Sequence, residues 1–199
     1  MAFVGHKGTL LIVVEKITLA LDPIQQSVLD YWKSARDGLT VPLLDALDPL
    51  KLEKRVLPYL IVAEHLDDSG LVRFRLVGEE MVRRWGANFR GRRSDQLFTG
   101  DYRAFIEKYF ALARSERCPV YSESVFRWND GGWIKTTRLI LPFTSTPNGV
   151  PTRSVVVQVF LPSEQPQSVP EIRILREQDM SGGVIVALPG GIRRAGASI

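Results

Sequence analysis

The sequence predicts an α+β fold in which helices cover one face of a five-stranded antiparallel sheet and an amphipathic helix precedes the sheet. Three observations support this prediction. A capped helical pattern comes first, a strand hairpin is followed by two more helical patterns, and three strands joined by Gly-rich turns come last. If the hairpin and the later strands pair edge to edge, they form one sheet.

The composition is that of a folded protein with no strong bias toward one class of partner. The 199 residues are 45% hydrophobic and 24% charged, and a net charge of +4 permits binding to a polyanion without requiring it. Cys118 is the only cysteine, so a reducing, cytoplasmic setting is expected. The apolar run at 8–14 is too short for a membrane helix, which needs about 20 residues.

Three regions are expected along the chain. Residues 1–21 are a lead-in, residues 22–162 hold the folded domain with its first helix, and residues 163–199 form a Pro-rich linker and a flexible tail. The tail contains one short apolar run that is too small to fold alone.

The first helix is predicted over residues 22–38. Asp22 suits the N-cap, Pro23 suits the first helical position, and Gln25 stands where a capping-box partner belongs. Gly38 supplies the end of the helix.

The apolar side chains of this helix recur at helical spacing and have to be buried against something. They either cover the second face of the sheet or meet a partner protein. The candidate interface residues are Ile24, Val28 and Trp32.

A hairpin follows. Residues 55–66 are continuously apolar and β-branched, which is typical of a strand buried on both faces. After a turn, residues 71–78 alternate, with Val72, Phe74 and Leu76 predicted on one side of the strand.

Residues 81–98 are rich in arginine and glycine. We interpret them as a short helix and a crossover into the next helix, because Gly86 and Gly91 permit sharp changes of direction. An alternative is a basic surface that binds anions or nucleic acid weakly, although charge clusters are more often solvated and ion-paired. The residues of this basic cluster are Arg83, Arg84, Arg90, Arg92 and Arg93.

The last part of the domain is one long helix and three strands. Residues 101–116 carry a continuous apolar stripe at helical spacing. Strands are predicted at 119–128, 133–143 and 153–162, and the Gly-rich turns between them indicate an antiparallel meander.

Several short motifs accompany this order of elements. Their residues are Tyr31, Trp32, Arg36, Gly38, Pro42, Asp45, Asp48, Pro49, Phe74, Arg75, Leu76, Val77, Gly78, Gly86 and Gly91, with the segment LILPF at 139–143. Together, the order and the motifs resemble the bacterial PAS-like domain family over residues 24–161, while Leu43 and Glu79 depart from the usual family pattern. The resemblance implies a stand-alone sensory or interaction module that holds a small ligand or cofactor under the long helix.

The residues do not identify a cofactor. PAS domains that form a flavin adduct carry a cysteine where this chain has Phe89, so that chemistry is excluded. Haem-binding members commonly use a histidine on the long helix, and residues 101–116 contain none. His65 is interpreted as a solvated turn histidine.

Aromatic side chains give the best candidate for a ligand pocket between the sheet and the long helix. Two polar residues in otherwise apolar strands are candidates for orienting a ligand there. In the alternative, the aromatic residues are ordinary core and the polar pair faces solvent. The candidate ligand-binding residues are Tyr59, Phe74, Trp85, Phe105, Tyr109, Arg138 and Gln158.

The predicted function is that of a cytoplasmic sensory or signalling module that binds a small ligand or a signalling protein and forms a homodimer. No catalytic Ser-His-Asp or Cys-His set can be assembled from two poorly placed histidines, so no enzyme activity is expected. No metal site, no membrane partner and no nucleic-acid partner are expected. The alternatives are a ligand-free adaptor acting by dimerisation and a weak polyanion binder using the basic cluster.

Overall fold

The computed structural model describes residues 2–4, 9–13, 17–19, 21–127, 133–161, 180–187 and 192–194, with side chains at 21–124, 135–161 and 185–187. The α-helices are α1 (Pro23–Ser34), α2 (Glu79–Trp85), α3 (Ser94–Leu97) and α4 (Gly100–Glu116), and short 3-10 turns lie at Leu44–Ala46, Pro49–Lys51 and Leu57–Tyr59. The strands are β1 (Ala2–Val4), β2 (Thr9–Val13), β3 (Ile17–Leu19), β4 (Leu60–His65), β5 (Val72–Val77), β6 (Val120–Arg127), β7 (Trp133–Thr144), β8 (Pro151–Phe160), β9 (Met180–Ala187) and β10 (Ile192–Arg194).

The main sheet has the strand order β1-β2-β9-β6-β7-β8-β4-β5. The five predicted strands are contiguous and antiparallel within it, because the hairpin β4-β5 joins the meander through β8. The α+β fold class is therefore confirmed. The sheet continues past β6, where β9 pairs antiparallel with β6 and parallel with β2. A separate small sheet joins β3 and β10 in parallel.

The expectation of a flexible tail after residue 162 is wrong for residues 180–187, which form β9. A short apolar run cannot fold alone, but the edge of β6 supplies it with hydrogen-bonding partners. Tyr121 lies opposite Val186, and Ser122 lies opposite Ile185. Side chains of β9 are buried on both faces of the sheet. Within the predicted linker and tail at 163–199, residues 163–179, 188–191 and 195–199 lie outside the described residues.

The central strands of the sheet are buried on both faces. On one face α4 packs over β6, β7, β8 and β9, and together with α2 and the segment before α4 it forms a core that we call the α4 core. On the other face α1 packs over β7 and β8 and forms a second core, which we call the α1 core. The predicted apolar stripe of α4 is confirmed. Its buried residues are Tyr102, Phe105, Ile106, Tyr109, Phe110 and Ala113.

The candidate interface on α1 is corrected by this packing. Val28 and Trp32 are buried against the chain's own sheet, and the half-buried Ile24 packs against the same core. The stripe covers the second sheet face, so Val28 and Trp32 are not exposed to a partner. The indole Nε1 of Trp32 also donates a hydrogen bond of 2.7 Å to the carbonyl of Pro142 in β7.

The start of α1 is as predicted except at Gln25. The Asp22 carboxylate accepts a hydrogen bond of 2.8 Å from the Ile24 N–H, and Pro23 is the first helical residue. Gln25 is not a capping partner. Its side chain lies on the buried side of the helix, and the amide donates hydrogen bonds to the Thr137 hydroxyl and the Val157 carbonyl.

Some of the residues at 31–49 that resemble the PAS-like family hold the segment after α1 in place. We call this segment the link. The Tyr31 hydroxyl donates to the Ala46 carbonyl and accepts from the Asp48 N–H at 3.1 Å. The Pro42 carbonyl accepts from the Thr144 N–H at 3.0 Å, which joins the link to β7. These residues therefore have a structural role.

The predicted alternation of β5 fails at Leu76. The register shifts between Val62 and Ala63 of β4, so Phe74 pairs with Ala63 and Leu76 pairs with Val62. This irregularity reverses the face of the sheet toward which the following side chains point. Leu76 therefore packs against the α1 core, whereas Phe74 lies in the α4 core.

The arginine- and glycine-rich stretch is a crossover, as predicted. Gly86 ends α2 with a φ of 67°, and Gly91 has a φ of 84°. The Gly91 N–H donates to the Phe74 carbonyl, and the Phe74 N–H donates to the Arg92 carbonyl. The crossover thus covers the outer edge of β5, an edge that would otherwise present unpaired backbone groups. Among the described helices, none is both long enough and apolar enough to cross a membrane.

The turn between β4 and β5 touches the backbone of α4 at Gly70. With a φ of 95°, a Cβ on Gly70 would lie 1.9 Å from the Glu107 carbonyl oxygen, whereas a Cβ on Gly38, at a φ of 80°, meets open space. We expect Gly70→Ala to lower the free energy of unfolding by roughly 3 kcal/mol or more, because strain and overlap combine. The matched Gly38→Ala variant carries only the backbone strain and should lose about 1 kcal/mol.

Urea unfolding of the two variants and the wild type measures this difference. Equal losses in both variants would contradict the close packing of the hairpin turn on α4.

Candidate ligand-binding site

The aromatic residues predicted to line a pocket lie together in the α4 core. Phe74, Trp85, Phe105 and Tyr109 are all buried there. Tyr59 is half-buried and packs at the margin of both cores. The residues selected from the sequence therefore lie in one part of the fold, on the α4 side of the sheet.

Arg138 and Gln158 face the same core. They lie opposite each other on β7 and β8, and each is two residues from a helix-facing core residue, Ile140 and Val156 respectively. Arg138 is 0% exposed and Gln158 is 3% exposed. The alternative that this polar pair faces solvent is therefore wrong.

Arg138 links the sheet to α4. Its Nη1 donates a hydrogen bond of 2.9 Å to the Ser124 hydroxyl, and its Nη2 donates one of 3.0 Å to the Tyr102 hydroxyl. The guanidinium carbon lies 5.9 Å from the ring centroids of both Tyr102 and Phe105, within the range of a cation–π interaction. The cation is thus held between one strand and the first turns of α4.

Polar residues that the sequence alone does not single out lie beside Arg138 and Gln158. Ser122 lies opposite Arg138, and Ser124 lies opposite Thr136 with a hydroxyl separation of 3.5 Å. Spacing by two places the serines on one face of β6, but the sequence does not show which face or which register. We call this set the Arg138 cluster, and its members are Tyr102, Ser122, Ser124, Thr136, Arg138 and Gln158.

Three polar groups of the cluster have no hydrogen-bond partner among the described residues. They are the Nε of Arg138, the Nε2 of Gln158 and the Oγ of Ser122. All three belong to residues at adjacent positions across β6, β7 and β8. Buried donors without partners are costly, since each loses its hydration without replacement.

The tyrosines near Arg138 do not neutralise its charge. Burial raises the pKa of Tyr102, although the neighbouring Arg138 acts in the opposite direction. Burial likewise raises the pKa of Tyr109 far above its ordinary value. Both phenols are therefore uncharged near neutral pH. Where side chains are described, no carboxylate lies within ion-pair distance of Arg138.

His65 is buried, so its interpretation as a solvated turn histidine is wrong. Its Nε2 lies 2.9 Å from the Ser154 hydroxyl, and its ring packs edge-on against Phe110 at 5.9 Å. Burial is the main cause that lowers the pKa of His65 to about 4, and the nearby Arg114 adds to it. The Nδ1 has no described partner, so this pair lacks the orienting acid of a catalytic triad.

The basic cluster is partly ion-paired with its own neighbours. Arg83 and Arg84 both contact Glu80, at 2.7 and 2.8 Å. Arg93 contacts Asp95 at 2.7 Å. The two remaining members, Arg90 and Arg92, are exposed. Internal pairing reduces the positive charge that this surface offers to a polyanion.

Comparison with known families agrees with this architecture. A family model described as PAS domain matches residues 22–156. The match spans more than half of the chain, which therefore belongs to the PAS domain family. It begins at the cap of α1 and ends within β8, so β9 lies beyond it. A search of curated proteins gave no match. PAS domains in general are sensory and signalling modules without catalysis of their own.

The depressed pKa of His65 predicts acid sensitivity of the fold. Its ordinary pKa is 6.5 and the folded value is about 4, so protonation favours the unfolded chain. The stabilising contribution is complete above pH 6.5 and is lost as the pH falls toward 4. Between about pH 7.5 and about pH 5, we expect this group to remove about 2 kcal/mol from the free energy of unfolding.

Urea unfolding at both pH values, in the wild type and in His65→Gln, isolates the effect. Glutamine retains a neutral hydrogen-bonding group but does not titrate, so its pH-dependent loss should be smaller by that amount. An identical loss in both proteins would contradict the prediction.

Proposed function

We propose that this protein is a non-catalytic sensory module that binds a small ligand between α4 and the sheet and signals through a protein partner or a second copy of itself. The observation that supports the proposal is the Arg138 cluster. Polar side chains occupy the centre of a core that is otherwise aromatic and aliphatic.

Stability alone does not account for this cluster. An unpaired cation inside a protein costs several kcal/mol, and apolar residues of similar volume often give a more stable core. Costly polar groups in an interior are characteristic of binding sites, where stability is traded for recognition. In a PAS domain, the space between the long helix and the sheet is the expected position of a ligand.

The same cluster offers a route for a signal. Arg138 bonds to Tyr102 on α4 and to Ser124 on β6, so a ligand that competes for these bonds changes how α4 sits on the sheet. Helix α4 contacts β6, β7, β8 and β9, so its displacement reaches much of the sheet. The apolar stripe of α1 is occupied by the sheet, and we therefore place the partner surface elsewhere.

Native mass spectrometry of the purified full chain tests this proposal. We expect a retained small molecule, seen as a mass above the 22.4 kDa of the chain that disappears under denaturing conditions. A homodimer would appear as twice the chain mass. Retention of nothing, together with a well-formed dimer, would contradict ligand sensing and would favour a ligand-free adaptor.

A further inference from the structure

We propose that the Arg138 cluster binds the carboxylate group of a small organic acid whose remaining part is apolar or aromatic. The inference rests on the proposed function, because it names the ligand class for the same interior site. It is supported by the charge of the cluster, by its hydrogen-bonding groups and by the rings around it.

The charge of the cluster calls for an anion. Arg138 is completely buried and has no ion-pair partner among the side chains that the structure describes. Surface arginines of the same chain behave differently, since Arg83 and Arg93 each hold a carboxylate through Nε and Nη2. A guanidinium keeps its charge in proteins and matches the two oxygens of a carboxylate. An anionic ligand would supply the missing counter-charge.

The hydrogen-bonding groups call for an acceptor. Arg138 Nε and Gln158 Nε2 are donors, and the Ser122 hydroxyl is able to donate. Their backbones are adjacent across three strands, and neighbouring strands lie about 4.8 Å apart, so the row spans roughly 10 Å. An ionised carboxylate only accepts hydrogen bonds and therefore complements this row. An amine, which only donates, does not.

The surrounding rings favour an organic acid over an inorganic anion. The rings of Tyr102 and Phe105 both contact the Arg138 guanidinium. The ring centroid of Trp85 lies 6.3 Å from that of Tyr102. Phosphate or sulfate would lose its hydration here and would gain contact with a single cation. A ligand with one carboxylate and an apolar body matches both parts of the site.

Access to the site requires movement. Because Arg138, Tyr102 and Phe105 are all at most 2% exposed, a ligand reaches the guanidinium only if α4 or the preceding segment separates from the sheet. Ligand occupancy is thereby coupled to the position of α4.

Isothermal titration calorimetry on the full chain tests the ligand class with matched probes. The probes are benzoate and phenylacetate, and their neutral counterparts are benzamide and phenylacetamide. We expect at least one acid to bind at least about tenfold more tightly than its amide, because it gains a charge-assisted hydrogen bond.

Variants assign that preference to Arg138. Arg138→Met should weaken binding of the acid by about tenfold or more and should leave the amide unchanged. Lys135→Gln is the control, since it removes an exposed charge on the same strand that pairs with Glu123. It should leave both affinities unchanged. Equal affinities for acid and amide, or an unchanged acid affinity in Arg138→Met, would overturn the proposal.

A second variant keeps the test decisive if Arg138→Met is poorly folded. Gln158→Met removes one donor of the row without touching the charge, and it should weaken the acid more than the amide. A Gln158→Met protein with unchanged preference for the acid contradicts the proposal.

The outcomes also separate this inference from the proposed function. A neutral molecule retained in native mass spectrometry, with no binding of either acid, contradicts the carboxylate assignment but supports sensing. Retention of nothing and binding of no probe contradicts both.

Discussion

The proposed function depends on one physical constraint. The Arg138 guanidinium lies inside the fold, against central sheet strands that are covered on both faces. Helix α4 closes one face over Arg138, and α1 closes the other. Arg138 is 0% exposed to bulk solvent, so groups inside the fold have to supply most of its hydrogen bonds. The Tyr102 and Ser124 hydroxyls accept two of these hydrogen bonds, and the Nε has no partner among the residues that the structure describes.

The two covering layers have different roles. Helix α1 is fixed by the Trp32 hydrogen bond to Pro142, by the buried Gln25 amide and by the link that Tyr31 fastens. Those contacts attach α1 and the following segment to the chain's own sheet. The α4 face carries the polar cluster, so the helix that closes the site also supplies one of its hydroxyls. Under the proposed function, ligand binding and the position of α4 would therefore involve the same atoms.

Much of the fold could be predicted from the sequence, because local patterns determine it. The α4 stripe, the order of elements and the glycine crossover all follow from spacing within short segments. The strand β9 could not be predicted, since an apolar run acquires its structure only from a distant edge. The buried state of His65 and the side of Leu76 were likewise missed, because they depend on a partner helix and on a register irregularity. Arg138 and Gln158 were found as polar exceptions, whereas Ser122 and Ser124 needed the strand register.

The Nε–H resonance of Arg138 reports most directly on whether this guanidinium receives an anion. The signal can be assigned in ¹H–¹⁵N spectra by its loss in Arg138→Lys, with the Nε–H of Arg93, which is already paired with Asp95, as an internal reference. On addition of benzoate, we expect the Arg138 proton to move downfield as it forms a charge-assisted hydrogen bond, while the Arg93 proton stays in place. Saturating benzoate that shifts other core signals and leaves the Arg138 Nε–H unchanged would contradict the central role of this residue.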